Sequence, residues 1–205
     1  MAYVLGFFAA DGNMRINKNG GCYIELTSCD RDVLEKILHC LESTHKISAR
    51  KRNPRWNIIY RVQMGSKAIF EDLLSLGMTP NKSHTLKFPN VPNSLLKHFV
   101  RGYFDGDEHV WKGLTHKYDR PNPVHCMVTG FTSGSKNFLS SLKNSLKKCA
   151  DVQGGSLHFR SRAYRLLYST INSKKLYKFM YNGNNTLYMS RKKRRFDKYM
   201  DIKGV

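Results

Sequence analysis

Acidic residues are scarce in this chain. Its 205 residues hold 15 Asp and Glu against 35 Lys and Arg, which leaves a formal net charge of +20 at neutral pH. Such an excess excludes a charge-balanced surface and favours a polyanionic partner, because cations that neutralise phosphates release the counterions bound there. Charge alone leaves DNA, ribosomal RNA and acidic membrane surfaces open as partners.

The chain also lacks paired cysteine motifs and long apolar runs. Its five cysteines are an odd number, with no Cys-x-x-Cys pair and no regular spacing to histidine. We therefore expect reduced intracellular thiols rather than a zinc site or a disulfide framework. The apolar start, Met1 to Ala10, has no basic region ahead of it and ends at Asp11 after too few residues to span a bilayer. We expect this start to belong to the folded protein, and the protein to be intracellular, cytoplasmic or organellar, without a membrane partner.

The apolar start occurs a second time in altered form. Residues 4–12 read VLGFFAADG and residues 100–108 read VRGYFDGDE. Each copy is apolar at first, with a glycine in third place (Gly6, Gly102) and a carboxylate in eighth place (Asp11, Asp107). A glycine within a helix costs about 1 kcal/mol relative to alanine, so it makes sense where two backbones approach closely. The pattern predicts two buried helices that pack on each other.

Hydrophobic periodicity predicts the same order of elements after each copy. Met14, Ile16, Ile24 and Leu26 are expected to share the apolar face of a first hairpin. The predicted helices of the first part cover 2–10, 30–43 and 67–76, with strands at 13–18, 22–28, 46–52 and 57–64 and an irregular connection at 77–93. The predicted helices of the second part cover 95–104, 135–148, 173–181 and 187–199, with strands at 108–114, 124–132, 156–161 and 164–171.

Three offsets support a duplication. Asp11 and Asp107 are 107 − 11 = 96 residues apart, Thr27 and Thr132 are 132 − 27 = 105 apart, and Ser66 and Ser173 are 173 − 66 = 107 apart. The increase falls in the region of the proline-rich stretch at 115–123. We infer two αββαββα halves, 1–92 and 93–205, related by a pseudo-twofold axis.

The two repeated runs resemble the LAGLIDADG motif of homing endonucleases, in the single-chain form that carries two motifs. The resemblance extends through both αββαββα halves. It implies an α+β fold in which the duplicated halves form a saddle-shaped antiparallel sheet, and a monomer with internal pseudo-dimer symmetry that binds double-stranded DNA. The implied activity is a site-specific, metal-dependent double-strand cut at a long asymmetric target, staggered across the minor groove to leave 3′ overhangs.

The motif acids are the candidate catalytic and metal-binding residues. If the motif helices lie side by side, Asp11 and Asp107 meet at helix ends of negative dipole character, and they repel one another unless a cation lies between them. Oxygen ligands and phosphate chemistry favour Mg²⁺, with Mn²⁺ as a substitute. The other interpretation of these acids is simple helix termination by Asp-Gly turns.

The resemblance also implies a polar side chain and a lysine near each acid. Ser28 and Ser133 take the position of the polar residue, although both also fit as ordinary helix caps. Lys82 is the candidate lysine of the first half. In the second half we favour Lys192 over Arg191.

The polar faces of the predicted hairpins are the candidate DNA-binding surface, since alternate side chains on strands along the major groove meet base edges and phosphates. Any single basic residue among them could instead be solvated surface. The cationic run Arg191 to Arg195 fits either a phosphate contact or a solvated helix face. The predicted DNA contacts are Arg15, Lys18, Arg50, Arg52, Arg55, Arg61, Gln63, His109, Trp111, His158, Arg160, Arg162 and Tyr164.

Two positions depart from the family motif. Ala9 stands where an acid is common, and Glu108 stands where a glycine usually follows the catalytic acid. If one half is impaired, Glu108 indicates the second half. Two alternatives to the nuclease therefore stay open: an intron maturase that binds RNA with the same fold, and a DNA-binding regulator that does not cleave.

Overall fold

Two series of helices and strands in the same order make up the molecule. The computed structural model describes residues 1–51, 53–107, 109–116, 118, 121–183 and 187–202, with Ile202 described by its backbone alone. The first half contains α1 (Ala2–Asp11), β1 (Gly12–Ile16), β2 (Cys22–Ser28), α2 (Arg31–Cys40), β3 (Ser48–Arg50), β4 (Ile59–Gly65) and α3 (Lys67–Ser75). The second half contains α4 (Leu96–Asp107), β5 (His109–Thr115), β6 (Val124–Ser133), α5 (Lys136–Ala150), β7 (Ser156–Arg160), β8 (Ala163–Tyr168), α6 (Thr170–Tyr181) and an added helix, α7 (Ser190–Ile202).

Each half has one four-stranded antiparallel sheet. The strand orders are β1-β2-β4-β3 and β5-β6-β8-β7, so the two sheets have the same topology. The register pairs Ile24 with Met14 on one side and with Met64 on the other, and all three side chains are buried. The predicted α+β fold with duplicated αββαββα halves is confirmed. Ile16 lies on the same sheet face as Met14, as predicted, but it is 59% exposed because it pairs with Cys22 at the tip of the hairpin, beside the turn.

The two motif helices, α1 and α4, form the contact between the halves. A Cβ on Gly6 would collide with the carbonyl oxygen of Phe99, and a Cβ on Gly102 would collide with the carbonyl oxygen of Tyr3. Since 102 − 6 and 99 − 3 both equal 96, the two contacts are the same contact seen from either half. The missing side chains therefore allow backbone-to-backbone packing across a pseudo-twofold axis.

The third sequence offset was wrong. Ser66 precedes α3 and its Oγ accepts a hydrogen bond from the Ile69 N–H at 3.3 Å, as a helix cap does. Ser173 lies inside α6, fully buried, where its Oγ accepts from the Thr129 N–H at 3.0 Å and donates to the Tyr168 carbonyl at 2.9 Å. The residue that precedes α6 is Ser169, so the offset between the two helix starts is 169 − 66 = 103.

The core contains one buried cluster that runs through both halves. Its second half is richer in rings: Phe104 contacts Phe131 and Phe196, and Phe131 contacts Tyr168. The α7 helix joins this cluster through Phe196, Tyr199 and Met200. Across the residues that the structure describes, no helix combines the length and apolar character needed to cross a membrane.

Candidate active site

The paired motif helices end at the two predicted catalytic acids. Asp11 is the last residue of α1 and Asp107 is the last residue of α4. Burial raises the pKa of Asp11 to about 6, and the negative charge of Asp107 adds to the rise. Burial also raises the pKa of Asp107, against the opposing effect of Lys192 and His109. The two carboxylates therefore interact electrostatically at the interface between the halves.

A buried lysine lies against each of the two helix ends. Lys82 Nζ donates a hydrogen bond to the Gly12 carbonyl oxygen and lies 5.1 Å from the centre of the Phe8 ring. Lys192 Nζ donates to the Phe104 carbonyl oxygen at 2.8 Å and lies 5.4 Å from the centre of the Phe104 ring. Phe8 and Phe104 hold the same position in the two motif copies, since 104 − 8 = 96. The structure thus places the two predicted lysines in matching positions, one in each half.

The charges of the site act across the boundary between the halves. The cations that oppose the raised pKa of Asp11 are Lys192, from the second half, and then Lys82. Burial lowers the pKa of Lys82 to about 8, against the opposing effect of Asp11. A third lysine contact, from Lys192 Nζ to the Gly106 carbonyl oxygen at 3.4 Å, extends along the end of α4. Both lysines and both acids therefore belong to one electrostatic unit.

The start of the helix that carries the second-half lysine is bonded to a buried carboxylate that sequence reasoning did not assign to the site. Asp105 is fully buried, and one of its oxygens accepts hydrogen bonds from Tyr3 Oη and from the Met189 N–H, both at 2.7 Å. Met189 directly precedes α7, the helix that carries Lys192. Burial raises the pKa of Asp105 to about 6, although the hydrogen bonds from Met189 and Tyr3 oppose the rise. The available signal was the acid at the sixth motif position, where the first copy has Ala9.

A small pocket of about 100 Å³ opens beside Asp107. It is lined by Lys82 of the first half and by Tyr103, Thr132 and Ser133 of the second, among others. The hydroxyls of Ser28 and Ser133 accept hydrogen bonds from the Asp30 and Ser135 N–H groups, at 3.0 and 3.1 Å. Both serines therefore order the turn after the second strand of their half, and Ser133 also reaches the pocket.

The oxygen atoms at the site fit a hard divalent cation. They belong to the two carboxylates and to the main-chain carbonyls at the helix ends. Within the described ranges no group of three or more His, Cys, Asp or Glu residues comes together. The two carboxylates found among the described residues suit Mg²⁺, which keeps several waters and is commonly held by one or two carboxylates together with substrate phosphates.

The predicted DNA contacts of the first half lie on the sheet face opposite the core or at its tips. Arg61 pairs with Thr27 in the sheet and donates hydrogen bonds to Glu25 and Gln63, both at 2.7 Å. Arg15 lies 5.6 Å from the centre of the Tyr23 ring on the neighbouring strand. Lys18, in the β1–β2 turn, and Arg50 and Arg55 are exposed, whereas Arg52 lies outside the described residues.

In the second half the structure separates the predicted contacts by strand face. The register places His109 and Trp111 of β5 and His158 of β7 on the outer face of the sheet. Arg160 ends β7, and Arg162 lies in the adjoining turn at a φ of 66°. Tyr164 is on the opposite face, in tilted contact with the Phe159 ring at 5.0 Å.

Arg165 was missed and lies on the outer face in place of Tyr164. It pairs with Thr132 on one side and with His158 on the other. Burial is the main cause of the lowered pKa of His109, and the positive charge of Arg165 lowers it further. Strand alternation would have found it if β8 had been started one residue earlier. Glu108, the other motif departure, lies outside the described residues.

Comparisons with known proteins agree with this geometry. Residues 1–76 match the family description "LAGLIDADG-like domain". A probable translation initiation factor IF-2 of Methanocaldococcus jannaschii is 29% identical over 96 residues, which are 44% of this chain and 8% of that protein. The chain thus spans a small part of the curated relative that it matches.

Solved structures match over nearly the whole chain. The homing endonuclease I-WcaI bound to its DNA recognition sequence is 17% identical, with a TM-score of 0.59 over 94% of this chain and 83% of that one. The I-LtrWI LAGLIDADG homing endonuclease bound to target DNA is 14% identical, with a TM-score of 0.64 over 98% and 88%. I-SmaMI bound to its uncleaved DNA target with calcium ions is 13% identical, with a TM-score of 0.65 over 98% and 89%.

These likenesses show a shared fold, and the first half adds a sequence match to the family. The duplicated topology, the interlocked motif helices and the two comparisons point to the same conclusion. Residues 1–76 match the LAGLIDADG-like family, and the chain as a whole shares the fold of the solved LAGLIDADG homing endonucleases.

Proposed function

We propose that this protein is a site-specific DNA endonuclease that makes a metal-dependent double-strand cut at a long asymmetric target. The observation that carries the proposal is the pair of acids, Asp11 and Asp107, at the ends of two interlocked helices with a buried lysine against each end. A merely structural helix end has no need for two mutually repelling carboxylates, because their repulsion and burial cost free energy.

The acids are proposed to hold Mg²⁺, with Mn²⁺ as a substitute. When bound, the ion would lower the pKa of a coordinated water and stabilise the charge of the leaving oxygen. Burial raises the pKa of both acids, so their ionised forms are disfavoured without a nearby cation. A positive charge between them therefore relieves the repulsion that the fold creates.

Lys82 and Lys192 are proposed to support the reaction from positions beside the two acids. Lys82 and Lys192 already use hydrogen bonds to helix-end carbonyls, which fix their ammonium groups near the acids. Their positive charge favours the negative charge that builds up on the phosphate during hydrolysis. With its pKa lowered to about 8, Lys82 is still mostly charged at neutral pH and can also lose its proton.

The protein is proposed to bind the DNA duplex as a monomer, through its two sheets. In this proposal residues 1–92 contact one half of the target and residues 93–205 contact the other. Arginine and glutamine side chains on the outer faces can make bidentate contacts to bases, and lysines such as Lys18 suit phosphates. The two halves carry different outer residues: Arg15, Arg61 and Gln63 in one, His109, Trp111 and His158 in the other. Different surfaces on two related halves suit an asymmetric target.

Selection from a randomised or host-derived DNA library tests the proposal. The library is incubated with the wild-type chain in Mg²⁺ or in Ca²⁺, and with a double variant, Asp11→Asn with Asp107→Asn. Asp72→Asn, which changes an exposed carboxylate of α3, is the matched control. We expect cleaved products only with Mg²⁺, and from the wild type and the control alone. Cleavage by the double variant at the wild-type rate would sink the mechanism, and tight binding without cleavage in Mg²⁺ would support the regulator.

A further inference from the structure

The cationic run near the end of the chain divides into three groups once it is folded. Lys192 points inward and lies at the active site. Lys193 forms a salt bridge with Asp197, one turn further along α7, at 2.9 Å. The remaining cations, Arg191, Arg194, Arg195 and Lys198, lie on one face of the helix at the spacing i, i+3, i+4 and i+7. We name these four residues the α7 stripe.

The α7 stripe is exposed and lines a common depression. All four side chains are exposed, and among the described residues they alone line a notch of about 280 Å³. Arg191 is paired with Asp30 at 2.9 Å. Within the described part of the chain, no carboxylate forms a salt bridge with the other three. Four like charges side by side repel one another, so a bound anion would lower their electrostatic free energy.

The position of the stripe connects it to the proposed active site. Its first member, Arg191, is the neighbour of Lys192, whose ammonium contacts the end of α4. Arg195 donates to the Val110 carbonyl oxygen at 3.4 Å, and its charge contributes to the lowered pKa of His109 on the outer sheet face. The stripe therefore starts next to Lys192 in the chain and contacts the edge strand β5 at Arg195.

We propose that the α7 stripe is a phosphate-binding track that holds the DNA backbone on the second-half side of the cut. The inference rests on the proposed function, because it takes the bound polyanion to be the DNA that the active site cleaves. Arginine suits this role, since its planar guanidinium can contact two phosphate oxygens at once. Among the residues that the structure describes, the first half has no helix that corresponds to α7, so the track is a one-sided feature of a duplicated fold.

The salt dependence of DNA binding tests the track. The test variant is Arg194→Gln with Lys198→Gln, which removes two exposed charges for which no hydrogen bond or salt bridge is found in the described part of the chain. The control is Lys148→Gln with Lys178→Gln, two cations that line a separate basic depression together with Lys97, at the far end of α4 from Asp107. The probe is a short random-sequence DNA duplex without divalent cations, because phosphate contacts do not depend on sequence.

If two phosphate contacts are lost, the slope of log K against log salt becomes shallower by about 1.8 between about 50 and 200 mM salt, because each contact contributes about 0.9. The control variant should keep the wild-type slope within about half of one contact, and circular dichroism should show that all three proteins are folded. An unchanged slope in the test variant, or an equal loss in the control, would overturn the track.

The salt titration and the library cleavage assay together separate failure of the track from failure of the proposed function. A wild-type chain that binds no duplex would overturn both. A chain that binds and cuts DNA with a slope independent of the stripe would overturn the track alone. A single-stranded RNA probe included in parallel should show a smaller change between wild type and test variant, because the expected slope per contact is about 0.7 for single strands.

Discussion

The two halves of the molecule reach the same arrangement at the helix ends by different means. In the first half, Lys82 lies on the turns that follow α3, and the motif has Ala9 at its sixth position. In the second half, Lys192 lies on a full helix, α7, whose start is held by Asp105 through the Met189 N–H. The ammonium nevertheless meets a helix-end carbonyl and a phenylalanine ring in both halves. The two halves thus place the lysine ammonium in similar surroundings, but different elements of the chain hold it there.

The largest effect is expected from the residues that the halves share most closely. Gly6→Ala or Gly102→Ala should each destabilise the fold by about 3 kcal/mol or more, because overpacking against a fixed backbone exceeds the gain in helix propensity of about 1 kcal/mol. Each new Cβ would collide with a carbonyl oxygen of the opposite helix. Chemical denaturation measures the change, and the two variants should agree because the contacts are equivalent.

Gly65→Ala is the control for these two variants. A Cβ at Gly65 would come no closer than 3.5 Å to the Tyr23 ring, which is ordinary contact. We expect a change within about 0.5 kcal/mol there. If Gly6→Ala proved as mild as Gly65→Ala, the close helix contact would be wrong.

The next effect concerns the lysines. Lys82→Met and Lys192→Met should each lower the single-turnover cleavage rate by about 100-fold, in the range found when one preorganised electrostatic donor is removed. Methionine keeps the packing on the phenylalanine ring while it removes the charge. Lys36→Met is the control, since Lys36 Nζ makes the same kind of ring contact, 5.3 Å from the centre of the Tyr188 ring. Wild-type rates in both site variants would remove the lysines from the mechanism.

A smaller effect on stability should distinguish the two carboxylates that contact α7 and its start, the buried Asp105 and the exposed Asp30. Asp105→Ala leaves Tyr3 Oη and the Met189 N–H without their acceptor and should cost about 1–3 kcal/mol of unfolding free energy. Asp30→Ala removes only the exposed ion pair with Arg191, for a cost of about 0–1 kcal/mol. Cleavage by Asp105→Ala should fall as α7 loosens, and Asp105→Asn should restore part of it because the amide oxygen still accepts. Equal unfolding free energies of Asp105→Ala and wild type would contradict the capping role.

A further effect is expected in the pH dependence of stability without divalent cations. The folded pKa of Asp11, about 6, is above its ordinary value of 3.8. The folded state therefore binds more protons than the unfolded state between these values, and this group's contribution to stability is lost as the pH rises through about 6. Compared with wild type, Asp11→Asn should lose less stability between pH 4 and pH 7 in thermal unfolding. If the stability of both proteins changed equally with pH, the pKa of Asp11 would not be raised in the folded state.

The sequence was sufficient for the duplication and for the residues at the helix ends. Helix contact constrains the places of the glycines and the acids in the two motif copies. Both pairs of residues could therefore be found from their constant offset of 96. The lysines could be named only through the family resemblance, since Lys82 and Lys192 lie far from the motifs in the chain and on unlike elements.

Features that depend on exact register could not be derived. Ser173 was matched with Ser66 because both precede a lysine, although one caps a helix and the other is buried within one. Tyr164 was assigned to the outer face instead of Arg165, because a shift of one residue moves every strand side chain to the other face. The role of Asp105 depends on a helix start that lies 84 residues further along the chain.

Strand-resolved cleavage by the acid variants tests the central claim most directly. A target selected from the library is labelled on each strand in turn, and single-turnover rates in Mg²⁺ are compared for wild type, Asp11→Asn, Asp107→Asn and the double variant. We predict that each single variant loses at least about 100-fold in the cutting of at least one strand, that the double variant cuts neither, and that all bind the target. A double variant that cut either strand at the wild-type rate would contradict the assignment of these two acids as the catalytic centre.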